Sequence, residues 1–359
     1  MTYVAALFAV IGIIDRLIFK DRFGYGPKFE EGIMAMGTLA LSMAGIMCIA
    51  PVLGKVIAPV ISPVFKLVGA DPAMISGIIL AIDTGGYPLA QVMTADPDIQ
   101  ILSGIYVGSM MGATIVFSIP VSLSIVKKEN HGNLSKGFLA GFISTPVGAL
   151  IAALIGGITF SKALINLIPL FVLAILLALG MAFIPNGMLK GFAVFSKIIT
   201  VLIYVCFGAA IVEALTGFVI IPGMAPLKEQ LTVVGEIGIT LAGAYPLVHF
   251  ITTVFNKPLS SLGKLIHVNA ASTGGMIATL ANNIPMFSAI GDMDERGQVL
   301  ATAFSVCAAF ALGDHLGYAT AQCPDATLSM IIGKIAGGIF AILIASILIK
   351  NKNTERKTN

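Results

Sequence analysis

The stretch Ala271–Phe287, ASTGGMIATLANNIPMF, places two glycines, three hydroxyls, two asparagines and a proline inside a segment otherwise apolar enough to enter a membrane. Backbone at membrane depth must satisfy its own N–H and C=O groups, and irregular chain is tolerated there only when protein or a water-filled cavity surrounds it. The interruption therefore marks a polar cavity inside a membrane protein. The surrounding chain supports that setting. Hydrophobic residues make up 57% of the 359, charged residues only 11%, and mean hydropathy is +0.98, well outside the soluble range of about a quarter charged. The net charge of +3 is too small to suggest nucleic acid as a partner, which leaves membrane lipids as the surroundings.

Apolar runs long enough to cross about 30 Å of hydrocarbon as helices lie near 3–19, 33–54, 99–126, 136–158, 163–185, 191–221, 231–255, 298–320 and 328–349. The first lacks the basic start and small-residue cleavage site of a signal peptide and reads as a retained span. Two further segments, 73–93 and 268–290, carry glycine interruptions. Prolines spaced as in KVIAPVISPVFKLVG (55–69) and NKPLSSLGKLIHV (256–268) argue against straight membrane helices there. The fold class is thus an all-α polytopic membrane protein of about nine spans plus two re-entrant or broken segments, forming a single domain over 1–359.

The halves also match one another. Pro51 and Pro63 stand 195 residues before Pro246 and Pro258, Thr84-Gly85-Gly86 stands 189 before Thr273-Gly274-Gly275, and Asp96 stands 196 before Asp292. Such order points to repeats at about 32–158 and 227–350, linked through 163–221. Re-entrant hairpins would make the repeats inverted, whereas full crossings would make them parallel. Cytoplasmic loops are rich in Lys and Arg. With hairpins, an outside N-terminus and a cytoplasmic C-terminus, only Lys55, Lys66, Lys162, Lys228 and Lys334 of the 21 basic residues fall outside. Full crossings would set the cluster at 127–136 opposite the one at 16–28. Inverted repeats are therefore expected.

A charge at the bilayer centre costs roughly 2.5–3.5 kcal/mol on insertion scales, so ionisable residues within spans suggest function. Asp83, in AIDTGGYPLA (81–90), could share a face with Tyr87 and hold an ammonium group, or it could cap the hairpin tip. Asp314 and His315, in FALGDHLGY (310–318), point about 100° apart on a helix, so at most one need face a cavity. Glu213, Glu236 and His249 read as inter-helix or interfacial groups, and Asp15 with Arg16 as an interfacial pair. Gln91 and Tyr106 are compatible with a polar cavity. The candidate binding set is Asp83, Thr84, Gly85, Gly86, Tyr87, Thr273, Gly274, Gly275, Asn282, Asn283, Asp314 and His315. Small residues could alternatively serve only helix packing. Cys48, Cys206, Cys307 and Cys323 show no paired spacing, so neither disulfides nor a metal is expected. No phosphate loop, dinucleotide fingerprint, zinc motif or nucleophile elbow occurs, and neither a cofactor nor an enzyme is expected.

Four blocks, GPKFEEGIMAMGTLALSMAGIM (26–47), AIDTGGYPLA (81–90), NAASTGGMIATLANNIPMF (269–287) and FALGDHLGY (310–318), resemble the ethanolamine utilization protein EutH family of bacterial ethanolamine permeases. The resemblance runs over essentially the whole chain. It implies an inner-membrane protein that brings ethanolamine into cells that consume it. Protonated ethanolamine is a small cation with a hydroxyl, which suits carboxylates at Asp83 and Asp314, the Tyr87 ring, and hydroxyl or amide groups at Thr84, Thr273, Asn282 and Asn283. Competing readings are a cation-coupled carrier of another small metabolite, a passive channel, and a membrane enzyme. Inverted hairpins suggest one domain moving against a scaffold at 163–221, and by analogy such scaffolds form dimers.

Overall fold

The computed structural model describes residues 2–254, 263 and 265–355, and within them the secondary structure is helical throughout, with no strand. Helix α1 covers Thr2–Leu17 and α2 runs without interruption over Tyr25–Leu67. Helices α3 (Met74–Ile79) and α4 (Gly86–Met93) are short. Five long helices follow: α5 (Pro97–Ile125), α6 (His131–Ile155), α7 (Phe160–Phe183), α8 (Pro185–Thr216) and α9 (Leu227–Val254). A second short pair, α10 (Ala270–Thr279) and α11 (Ile284–Ser288), precedes α12 (Glu295–Ala308), α13 (Asp314–Gln322) and α14 (Pro324–Glu355). Among the described residues, seven helices are long and apolar enough to cross a membrane. Of the nine expected spans, the first is a helix of 16 residues and the one at 298–320 is broken at 309–313.

The α3–α4 unit enters and returns on the same side. Its two ends meet where the Thr94 hydroxyl donates to the Asp71 carboxylate at 2.8 Å, next to the start of α5, where Gln100 donates to the Thr94 carbonyl at 2.9 Å. Its tip lies deeper, between the 3₁₀ turn Ile82–Thr84 and Gly85, whose φ of 101° is a left-handed conformation that favours glycine. The second unit closes the same way: the Asn269 backbone N–H donates to the Asp294 carboxylate at 2.9 Å and the Asn269 amide to the Asp292 carbonyl at 2.9 Å. Side-chain caps begin the helices that follow, Asp96 at α5 and Asp294 at α12. Both interrupted segments are thus hairpins. Helices α5 to α9 lie between them.

The hairpins correspond in a register the sequence matches missed. Asp71 with Asn269, and Asp96 with Asp294, are each 198 residues apart and occupy equivalent closing positions. The TGG triplets are not equivalent. Gly85 forms the tip of the first hairpin, but Thr273-Gly274-Gly275 is helical within α10, and the second chain break falls at Leu280–Asn283. Without a proline or a left-handed residue in the triplet, nothing there stops the helix. Asp292 sits in the turn beside Asp294 and does not cap α12.

Two other expectations are corrected. Pro51, Pro59 and Pro63 all lie inside continuous helix, half-buried at Pro51 and exposed at Pro59 and Pro63, since membrane helices tolerate proline where local adjustment or nearby groups serve the freed carbonyls. The second proline stretch at 256–268 falls largely outside the described residues, and with it Pro258. Asp15 and Arg16 do not pair. The buried Asp15 carboxylate accepts from the backbone N–H groups of Phe23, Tyr25 and Gly26 and caps the start of α2, while Arg16 binds Asp21 and Glu30.

Glycine-lined contacts hold the hairpins to the long helices. On α5, wound with π geometry over Ile101–Gly112 and Thr114–Ser118, Gly104 faces Tyr87, Gly108 faces Ile82, and Gly112 faces the Leu80 carbonyl. On α6, Gly148 meets Gly333 and Gly337 of α14. Close backbone approach of this kind replaces the hydrophobic drive that lipid removes. Basic loops gather on one face: His249 Nε2 lies 2.9 Å from the Phe23 carbonyl, Asn133 donates to Gln298 at 2.9 Å, and Arg296 donates to Ser346 at 3.2 Å. A side chain at Gly112 would overlap the Leu80 carbonyl, whereas one at Gly132 meets nothing within 4 Å. Gly112→Val is therefore expected to destabilise the protein by about 1–3 kcal/mol, read as a lowered melting temperature in detergent, with Gly132→Ala unchanged.

Candidate functional site

Two breaks in the helices support one another. The Phe310 N–H donates to the Thr279 carbonyl at 3.0 Å and the Leu312 N–H to the Leu280 carbonyl at 2.8 Å, so the loop between α12 and α13 satisfies the tip of the second hairpin. Phe310 takes a positive φ of 61°, and Gly313 packs so closely on the Ala281 carbonyl that a side chain would collide. This strained crossing fixes the first residue of α13, Asp314, whose carboxylate accepts from the Tyr245 hydroxyl of α9.

Asp314 opens onto a cavity of about 330 Å³, shared with Glu31, Met34, Thr38, Tyr245 and Asn282. Glu31, Tyr245 and Asn282 also line an adjoining cavity of about 200 Å³ that leads past Lys28, His249 and Thr252. The two form one vestibule between α2, α9, the second hairpin tip and the start of α13. It leads toward the face where the basic loops gather. Lys28 pairs with Glu31 at 2.6 Å near the mouth, and both are substantially exposed. Two carboxylates, a phenol and an amide around a space of this size can strip water from a small cation and offer hydrogen bonds to a second polar group on it.

Of the residues singled out from sequence, Asp314 and Asn282 line this vestibule. Asn282 Oδ1 also accepts from the Ile284 N–H at 2.8 Å. Asn283 is buried behind it, its amide donating to Ser118 at 2.7 Å. His315 is buried 5.0 Å from the Phe310 ring and points away from Asp314. Asp83 belongs to the other hairpin tip, where the fields of Asp314 and Lys334 reach it. Thr84 accepts from the Ala81 N–H at 3.0 Å and closes the turn, Gly85 and Gly86 pack on Ile46 and the Ala81 carbonyl, and Tyr87 is buried against Gly104. Thr273 donates to the Asn269 carbonyl at 3.2 Å, a Cβ at Gly274 would meet nothing within 4 Å, and Gly275 packs on Met293 and Met286. The turn Ile82–Thr84 of the first hairpin approaches α13, the helix that Asp314 begins.

Sequence reasoning passed over three groups. Glu31 sits in GPKFEEGIM, where charges before an apolar run read as interfacial; its depth follows only from α2 beginning at Tyr25, earlier than the expected span. Tyr245 lies in GAYPLVHF, and its contact with Asp314 spans 69 residues. Lys334, counted among the outside residues, is fully buried in α14 with its ammonium donating to the Ser109 carbonyl. Of the alternatives weighed, Glu236 is exposed and far from the vestibule lining, and Tyr106 bonds Ser329 at 2.6 Å in the core.

At the base of the second hairpin, outside the membrane-spanning helices, Asp294 keeps its carboxyl below the usual range: burial would raise it, but bonds from the Asn269 N–H, Ser272 and the Gly297 N–H outweigh this. A lowered folded-state value contributes stability above the unfolded value that is lost as pH falls through the folded one. Asp294→Asn is expected to lower the melting temperature most at neutral pH, where this contribution is fully present, and to flatten the acid limb of the melting temperature against pH, so that the two proteins converge below the ordinary carboxylate range.

Comparison with known proteins finds similarity over nearly the full length of the chain. The chain is 46% identical to a probable ethanolamine permease EutH of Listeria monocytogenes over 359 residues, covering 99% of this chain and 96% of the relative. It is 42% identical to a probable ethanolamine permease EutH of Salmonella typhimurium over 394 aligned positions, covering 99% and 97%. A Bacillus subtilis protein named YxeR, described as uncharacterized, is 40% identical over 346 residues, covering 96% and 93%. No solved structure matches. The family model for the ethanolamine utilisation protein EutH matches residues 1–348, and the chain belongs to that family.

Proposed function

We propose that the protein is a permease that carries protonated ethanolamine across a bacterial cell membrane. The observation that carries this reading is the vestibule in which Glu31 and Asp314 face one space with Asn282 beside them. The relatives' names supply the substrate; the vestibule supplies a way to hold it. The ammonium lies between the two carboxylates, with the Tyr245 hydroxyl orienting Asp314, and the Asn282 amide or Thr38 hydroxyl takes the substrate hydroxyl. Lys28 holds Glu31 at the mouth until the substrate's own ammonium replaces it.

With the basic loops cytoplasmic, by the usual enrichment of Lys and Arg on that side, the N-terminus is outside and the vestibule faces the cytoplasm. This is then the inward-open arrangement. Transport alternates by tilting the two hairpins and the helices that hold them, as inverted repeats, against α7 and α8, which carry few polar side chains. Closure of the basic face and opening toward the first hairpin completes the cycle.

Uptake of labelled ethanolamine into proteoliposomes tests the site. Asp314→Asn and Glu31→Gln should each lower kcat/KM by more than about tenfold, a loss of about 1.4 kcal/mol or more in binding along the transport path, with insertion and melting temperature retained. Ethylene glycol, which keeps the size and one hydroxyl but lacks the ammonium, should not compete. Uptake unchanged in both variants would remove the vestibule from the route. Counterflow of labelled substrate driven by unlabelled ethanolamine inside is expected of a carrier; its absence would favour a passive channel.

A further inference from the structure

Lys334 is the one lysine among the described residues that is fully buried, ten residues into α14 at a depth where a charge is costly. Its ammonium donates to the Ser109 carbonyl of α5, within the π-wound stretch of that helix. The preceding residue, Gly108, faces the backbone of Ile82: a Cβ there would stand 3.2 Å from the Ile82 nitrogen. Ile82 is next to Asp83, so the lysine head and this carboxylate flank the same tip turn, and the field of each reaches the other. The other ionisable neighbours within that field are Cys307 of α12 and His315 of α13, with Asp314 beyond. Helix α6 sets Gly148 against Gly333 and Gly337 and the Ser144 and Thr145 hydroxyls 3.3 and 3.8 Å from the Cys307 sulfur. The Tyr318 hydroxyl, buried and without a protein partner, lies within range of Asp83.

We propose that the Lys334 ammonium is a tethered cation that takes, beside Asp83, the place a coupling sodium ion would take, so that transport runs without a sodium gradient. A carboxylate at a hairpin tip, a backbone carbonyl and a nearby hydroxyl form a set of oxygens suited to a small hard cation. Here a covalently attached charge fills it, in every state of the cycle and at no entropic cost of capture. The proposal rests on the transporter reading, but its first measurement does not use ethanolamine.

Thermal unfolding in detergent is compared in NaCl and in KCl at equal concentration. The wild-type melting temperature should be the same in both. Lys334→Ala vacates the cation position and should melt several degrees higher in NaCl than in KCl, because an ion that binds only the folded state stabilises by mass action. Asp83→Asn combined with Lys334→Ala should lose that response. In proteoliposomes, wild-type uptake should ignore sodium, Lys334→Ala should fall more than about tenfold in KCl and recover several-fold in NaCl, and Lys334→Arg should stay sodium-independent. Sodium stabilisation or stimulation of the wild type would overturn the proposal, and that arm stands even if Lys334→Ala fails to fold. So would a folded Lys334→Ala without a sodium response, or a response that survives in the double variant. Wild-type uptake that fails altogether while the sodium-specific melting pattern holds would count against ethanolamine and not against the tethered cation.

Discussion

Peptide groups at membrane depth have no water to turn to, and the arrangement of this protein follows from how its four helix ends near the midplane satisfy theirs. The second hairpin stops at Leu280–Asn283, and the chain between α12 and α13 stops at Ala309–Gly313. Each supplies what the other lacks, through the bonds from Phe310 to Thr279 and from Leu312 to Leu280. Because the two breaks must touch, the first turn of α13 is pinned beside the hairpin tip, and Asp314 is presented next to Asn282. The vestibule is the space those constraints leave against α2 and α9.

Charge is then divided between two places. Glu31 and Asp314 share the wet side with Lys28 at the mouth, where a mobile cation can enter. Lys334 is fully buried in α14 with its ammonium on the Ser109 carbonyl of α5, and Asp83 is half-buried at the tip of the first hairpin. Each intramembrane charge left alone would cost roughly 2.5–3.5 kcal/mol on insertion scales, and removing one member of a buried set costs more than never having had it. Hydrogen bonding by Tyr245 keeps Asp314 oriented.

Much of this was legible in the sequence, for physical reasons that differ from element to element. Long apolar runs such as 163–185 gave α7 nearly to the residue, because crossing hydrocarbon imposes length and composition directly. Interruptions at 73–93 and 268–290 signalled hairpins, since irregular backbone survives at membrane depth only where protein or a cavity encloses it. The location of the second break was not legible: glycine permits a break without causing one, and Gly274 and Gly275 stay helical while the turn forms at Asn282 and Asn283. Nor was the vestibule's second carboxylate. Glu31 reads as interfacial until the full extent of α2 is known, and its meeting with Asp314 is a contact across nearly the whole chain. Lys334 illustrates the converse: counted from the sequence among the outside basic residues, it is fully buried, because its ammonium head reaches a carbonyl on another helix.

Accessibility at the vestibule tests the central claim most directly. Ala35 also lines it and has no place among the proposed substrate contacts, so Ala35→Cys, in a chain whose four native cysteines are replaced, reports on the space itself. A small water-soluble methanethiosulfonate should label it in purified protein, and ethanolamine should slow that reaction in a saturable manner while ethylene glycol does not. A thiol at that position that cannot be labelled, or one labelled at the same rate with and without ethanolamine, would contradict a wet, acid-lined vestibule that holds a small ammonium compound.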